Sequence, residues 1–62
     1  MNMTLEQKQD LQGAVEGGVQ VASVCYNPLT VTGDPEGDAI ADGWVEYMRE
    51  DTTDLVEVIY TK

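Results

Sequence analysis

The segment from Asp34 to Glu50 reads DPEGDAIADGWVEYMRE, and it decides how the chain folds. Its first residues, Asp34-Pro35-Glu36, favour a helix start, because they supply an Asp cap, a proline for the first helical position and an early carboxylate. Apolar side chains then recur at the spacing of a buried helical face. They are Ile40, Trp44, Tyr47 and Met48. The pattern predicts one helix through the segment.

A β-hairpin is the alternative for the second half of this segment. The stretch from Trp44 to Arg49 contains the β-formers Val45 and Tyr47, and it can pair with Leu55 to Tyr60 through the polar turn between them. Two glycines in the segment also each cost about 1 kcal/mol relative to alanine inside a helix. The helix is the preferred interpretation, and Leu55 to Tyr60 is a strand in both.

The rest of the chain adds one helix and two strands. Thr4 and Gln7 have the spacing of a capping box, which predicts a helix over residues 5–16 that the glycine pair at 17–18 ends. The stretch from Val19 to Tyr26 is apolar on both faces, as in a central strand, and Leu29 to Thr32 suits a short strand beside it. The order predicts a single α+β domain over residues 1–62, with about three mainly antiparallel strands and one face covered by helix. A mostly β fold with a C-terminal hairpin is the alternative.

The charge balance limits the partners. Among 62 residues, 12 are Asp or Glu and 3 are Lys or Arg, which gives a formal charge of −9. Such a chain is repelled by nucleic acid and by anionic membranes, so neither is expected to bind it directly. A hydrophobic content of 42% is too high for a disordered acidic tail. A folded domain with a basic protein partner is therefore expected.

Catalytic and metal chemistry have few residues to draw on. The chain has no His, and Ser23 and Cys25 are its sole serine and cysteine, so no nucleophile–base pair or zinc or iron site is expected. A calcium loop starting at Asp34 would have Ala39 and Val45 where Gly and Glu are required. We expect no enzyme activity, metal or cofactor. Cys25 is expected as a small buried side chain, and the lack of a disulfide pair or a leader segment predicts a cytoplasmic protein.

The carboxylates of the deciding segment recur at every fourth residue. They are Asp34, Asp38, Asp42, Glu46 and Glu50. On a continuous helix they would form a ladder with rungs about 6 Å apart, although like charges at this spacing oppose one another. That separation is of the same order as the spacing of phosphates along a nucleic-acid strand. The hypothesis is a surface that imitates DNA, and the alternative is a solvated acidic face that favours solubility.

In size, charge and lack of catalytic residues, the chain resembles the small acidic inhibitors that phages use against host DNA-binding proteins. The resemblance rests on the Asp34 to Glu50 ladder and implies an inhibitor that occupies the basic groove of a DNA glycosylase, a restriction enzyme or a CRISPR effector in the host cytoplasm. It implies a partner-binding set of eight acids and two aromatic residues. The set is Asp34, Glu36, Asp38, Asp42, Glu46, Glu50, Asp51, Asp54, Trp44 and Tyr47.

Two alternatives stay open beside this hypothesis. Trp44 fills the core in the simpler interpretation, and in the other it joins Tyr47 as an apolar anchor beside the charges. The chain as a whole can also be read as a small structural or assembly protein, such as a virion subunit, with incidental acidity. Its sheet edge would then pair with neighbouring subunits, and a homodimer is among the expected assemblies.

Overall fold

The computed structural model describes residues 3–62 and contains two helices and three strands. In chain order they are α1 (Leu5–Glu16), β1 (Val21–Tyr26), α2 (Pro35–Ala41), β2 (Val45–Asp51) and β3 (Val56–Thr61). The strands form one antiparallel sheet in the order β1-β3-β2. The predicted α+β class with a three-stranded antiparallel sheet is confirmed.

Helix α1 begins as its sequence predicts. The Thr4 hydroxyl accepts the Gln7 N–H at 3.1 Å, and the Gln7 side chain accepts the Thr4 N–H at 3.0 Å, which completes the capping box. The helix contributes no buried residue, and Leu11 and Val15 line a shallow groove on its apolar side. Helix α1 therefore adds little to the core.

The prediction of one helix through residues 34–50 is wrong. Its opening is right, since the Asp34 carboxylate accepts the Gly37 N–H at 2.9 Å and Pro35 lies in the first turn. The helix ends at Ala41, because Gly43 adopts a left-handed φ of 93° that breaks the helical path. The chain then enters β2, where β-forming side chains meet the free edge of β3. For this half of the segment the hairpin alternative is correct.

A tight polar turn joins β2 to β3. The Thr52 N–H donates to the Leu55 carbonyl at 2.8 Å, and the Leu55 N–H donates to the Thr52 hydroxyl at 3.1 Å. The pairing runs from Asp51 opposite Val56 to Val45 opposite Thr61 and contains a bulge between Glu46 and Met48. Charge and bulge together mark β2 as the outer strand of the hairpin.

Two further strand predictions need correction. Residues 29–32 form no strand, because the Asn27 carbonyl accepts the N–H groups of Thr30 and Val31 and folds this stretch into a turn. The central strand is β3, not β1, so β1 has a neighbour on one side alone among the described elements. Cys25 is opposite Glu57, on the sheet face away from the core, and it is exposed, which contradicts the expectation that it is buried.

The core is a single row on one face of β3. Val56, Val58 and Tyr60 are buried, and partly buried residues pack around them. These are Val24, Tyr26, Ala39 and Trp44. The Cα radius of gyration is 12.4 Å, whereas a compact chain of this length has about 10.6 Å. The molecule is thus thin, 35 × 25 × 10 Å, and only one sheet face carries helix α2. Neither helix in the described part of the chain has the length and apolar content needed to cross a membrane.

Two helical glycines are expected to respond differently to alanine. Gly13 in α1 has no atom within 4 Å of an added Cβ, so Gly13→Ala should raise the free energy of unfolding by about 0.5–1 kcal/mol. At Gly37 the added Cβ would stand 2.7 Å from Cγ of Asp34. The capping carboxylate must then swing away, which costs about 1 kcal/mol and cancels the gain. Urea unfolding of both variants checks this, and an equal gain at the two sites would contradict it.

Candidate binding surface

Register and helix packing bring most of the predicted acids to one face. Three β2 residues lie directly opposite the buried residues of β3, and cross-strand partners share a face. They are Glu46, Arg49 and Asp51. Helix α2 covers the same face, because its Ala39 packs against the core row. The carboxylates on this side, called the acidic face below, are those of Asp34, Glu36, Asp38, Asp42, Glu46 and Asp51.

The remaining predicted residues lie elsewhere. Glu50 pairs in register with Glu57, so it lies on the opposite face of the sheet, and Asp54 lies in the hairpin turn. The straight ladder of five carboxylates is therefore wrong, since a strand turns alternate side chains to opposite faces. Trp44 packs against the core, with the Lys62 ammonium 5.1 Å from its ring centroid, while Tyr47 is exposed at the bulge.

Arg49 is the cation at the centre of the acidic face. Its guanidinium lies 3.0 Å from carboxylate oxygens of Glu36 and Glu46 and 3.2 Å from Asp51. The hydrogen bond to Asp51, with the charges of Glu36 and Asp51, raises the pKa of Arg49 above its ordinary value. Because Glu36 belongs to α2 and the others to β2, Arg49 ties the helix to the edge strand. Sequence reasoning missed this role, although Arg49 is the one basic residue between Asp34 and Glu57.

Glu36 also holds β1. The Tyr26 hydroxyl donates to its carboxylate, and this side chain is only 20% exposed. Ionising the phenol would break the hydrogen bond and place two negative charges together. Glu36 thus raises the pKa of Tyr26 to about 12. Glu36 therefore stabilises the fold, and its carboxylate is already bound by Tyr26 and Arg49.

Asp38 and Asp42 are the acids of this face that remain available. Asp38 lies on α2 and Asp42, one turn later, is its C-cap; both are exposed, and neither forms an ion pair within residues 3–62. Both carboxylates can accept hydrogen bonds from a basic partner without giving up a contact in the fold. No group of three or more Asp, Glu or Cys side chains in residues 3–62 is arranged to hold a metal ion.

Alkaline pH is expected to destabilise the fold through Tyr26. The pKa of Tyr26 is about 12 in the folded chain against an ordinary 10.0, so the folded state favours the protonated phenol. The stabilisation is complete below pH 10.0 and is lost as pH rises towards about 12. Tyrosine ionisation, followed by tyrosinate absorbance, and unfolding, followed by far-UV circular dichroism, should occur over the same pH range. Tyr26→Phe should remove this part of the pH dependence, and an unaltered profile in that variant would contradict the assignment.

Comparison with protein-family models, with curated proteins and with solved structures finds no match to this chain.

Proposed function

We propose that this chain is a protein-binding inhibitor whose acidic face occupies the basic nucleic-acid groove of a DNA-binding protein. The observation that supports the proposal most is the pair Asp38 and Asp42. They are exposed one helical turn apart, about 6 Å along the axis, with no cationic partner in residues 3–62. A groove that recognises phosphates offers Lys and Arg side chains at separations of this order.

The arrangement of the acidic face also fits this role. Glu36, Glu46 and Asp51 surround Arg49, which links α2 to β2. The contacts of Glu36 with Arg49 and Tyr26 would hold α2 and its exposed carboxylates in place, and a preorganised binding surface loses less conformational entropy on association. The charges would speed association, and exposed Tyr47 at the edge of β2 would supply an apolar contact.

The resemblance to phage inhibitors implies the class of partner. A DNA glycosylase, a restriction enzyme or a CRISPR effector carries a basic groove, and each acts in the cytoplasm of the host cell in which a phage-type inhibitor would work. The chain itself needs no metal, cofactor or catalytic group for such a role, because occupying the groove is sufficient to block DNA.

Competition with DNA tests the proposal. The immobilised chain is incubated with a host-cell lysate, the bound proteins are identified, and duplex DNA is added over a series of salt concentrations. We expect a DNA-binding protein that DNA displaces and that binds less tightly as salt rises. Capture of proteins that duplex DNA does not displace would contradict mimicry.

A second candidate function is an assembly protein. The observation that favours it is the exposed edge of β1, which carries no charged side chain. An open edge of this kind pairs readily with another strand. In that case the competition experiment would recover structural proteins, with no effect of DNA.

A further inference from the structure

The outer edge of β1 presents free backbone groups. Gln20 and Lys62 exchange two backbone hydrogen bonds, at 3.2 and 3.0 Å. Such pairs alternate along an antiparallel ladder, so the N–H and C=O groups of every second residue point away from β3. These residues are Val21, Ser23 and Cys25, and all three are exposed. No other strand of residues 3–62 pairs with this edge.

The two edges of the sheet differ in their protection. The β2 edge carries Glu46, Arg49 and Asp51 and a bulge, which are features that discourage pairing with another strand. The β1 edge has a regular register, no bulge and no proline. It lies within a stretch, residues 17–33, that contains no Asp, Glu, Lys or Arg. Strand pairing is thus opposed at one edge and unopposed at the other.

We propose that a second copy of this chain pairs along the outer edge of β1, antiparallel and related by a two-fold axis through Ser23. In this register Ser23 faces Ser23 of the second copy, and Val21 faces Cys25. Each outward-facing residue then exchanges both of its backbone hydrogen bonds with the second copy. If the register between the two β1 strands shifts by two residues, Asn27 or Val19 enters the ladder. One outward-facing residue of β1 then has no partner within the β1 strand of the second copy. The Ser23 register therefore pairs the free backbone N–H and C=O groups of this edge most completely.

The distribution of charge favours a second copy as the occupant. A chain with a formal charge of −9 repels its own copies, and this repulsion is weakest where the uncharged stretch meets itself. The two-fold arrangement places both β2 strands, with their acids, at the outer ends of the joined sheet. A basic partner, in contrast, gains nothing from the uncharged edge. This inference is independent of the proposed function, since the acidic α2 carboxylates take no part in the pairing.

A charge exchange across the two-fold axis tests both the pairing and its register. Val21 and Cys25 are exposed, so both tolerate polar side chains. The double variant Val21→Lys/Cys25→Lys places like charges opposite each other twice, and Val21→Lys/Cys25→Glu places opposite charges there. Sedimentation over a concentration series should show the native chain and the Lys/Glu variant moving from 6.8 kDa towards twice that mass. The Lys/Lys variant should stay at the monomer mass, although its net charge is less negative.

Disulfide formation between the two copies provides a second measurement, which does not depend on changing the stability of the dimer. Thiols introduced at position 23 by Ser23→Cys/Cys25→Ala would have Cα atoms about 5.5 Å apart, which suits a disulfide. The native Cys25 residues of the two copies would lie about 14 Å apart, too far to bridge. Mild oxidation should therefore give a covalent dimer with the position-23 variant and leave the native chain largely monomeric on a denaturing gel.

Clear results would overturn the inference. A native chain that stays at 6.8 kDa at all concentrations has no such partner surface. Equal association of the Lys/Lys and Lys/Glu variants, with both folded by circular dichroism, means that the copies meet elsewhere. Faster oxidation at Cys25 than at position 23 would exclude the Ser23 register. None of these results bears on whether DNA displaces a captured protein, so the inference and the proposed function fail separately.

Discussion

Replacing Tyr60 with alanine is expected to unfold most of the chain at room temperature. Tyr60 is 1% exposed and is the largest side chain of the core row, and truncating a buried aromatic ring costs about 3–5 kcal/mol. A domain of this size has a total stability of about 3–9 kcal/mol. The loss is therefore comparable to the whole, because only Val56 and Val58 are buried beside it among the described residues. Urea unfolding followed by Trp44 fluorescence measures the effect.

The matched control is Tyr60→Phe, which keeps the ring and removes the hydroxyl. That hydroxyl is buried and makes no hydrogen bond with the described residues. An unpaired buried polar group is unfavourable, so its removal should raise the free energy of unfolding by about 1 kcal/mol. A loss in Tyr60→Phe as large as that in Tyr60→Ala would show that the hydroxyl, not the ring, holds the core. Burial raises the pKa of Tyr60, so the same variant should also reduce destabilisation at alkaline pH.

Local signals in the sequence predict the starts of the helices well. The capping box at Thr4 and Gln7 and the Asp34-Pro35 opening each act through neighbouring residues, and both are present in the structure. The end of α2 depends on a competition that local signals do not decide. Ile40, Trp44 and Met48 fit a helical face, yet Gly43 and the availability of β3 favour a strand, and the gain from pairing with β3 is tertiary.

The central position of β3 is also a tertiary property. β1 and β3 are both rich in apolar residues, and their sequences alone do not reveal which strand has two neighbours. The charges of β2 do indicate an edge, since acids on a strand mark its exposure. β3 occupies one edge of β1, and the turn closed by the Asn27 carbonyl keeps Leu29 to Thr32 from pairing along the other edge.

Most residues of the candidate site can be predicted from the sequence, but their arrangement in space cannot. The concentration of acids between Asp34 and Glu57 predicts them as a group, and six of the eight acids in the predicted partner-binding set share one face. Their spacing of four residues suggested a helix, but the strand separates Glu50 from Glu46. The roles of Arg49 and Tyr26 are not predictable from local sequence, because they depend on Glu36, which is distant from both in the chain.

Neutralising Asp38 and Asp42 is expected to weaken partner binding without unfolding the chain. The variant is Asp38→Asn/Asp42→Asn, which leaves the Arg49 cluster and the Asp34 cap intact. Its effects on the helix dipole offset each other, since Asp38 lies in the first turn and Asp42 at the C-cap. Under the proposed function, the association rate with the captured DNA-binding protein should fall roughly tenfold at low salt.

A control with the same change in net charge decides whether the position of the charges matters. Glu6→Gln/Asp10→Asn removes two exposed carboxylates from α1, outside the acidic face. If a phosphate-binding groove contacts α2, the α1 variant should bind almost as fast as the native chain, and the rates of the two variants should converge as salt screens the charges. Equal losses in both variants would mean that the partner senses the overall charge of −9 and not a surface on α2. Unchanged binding in both would leave the carboxylates as solvated surface, and the proposed DNA mimicry would then be wrong.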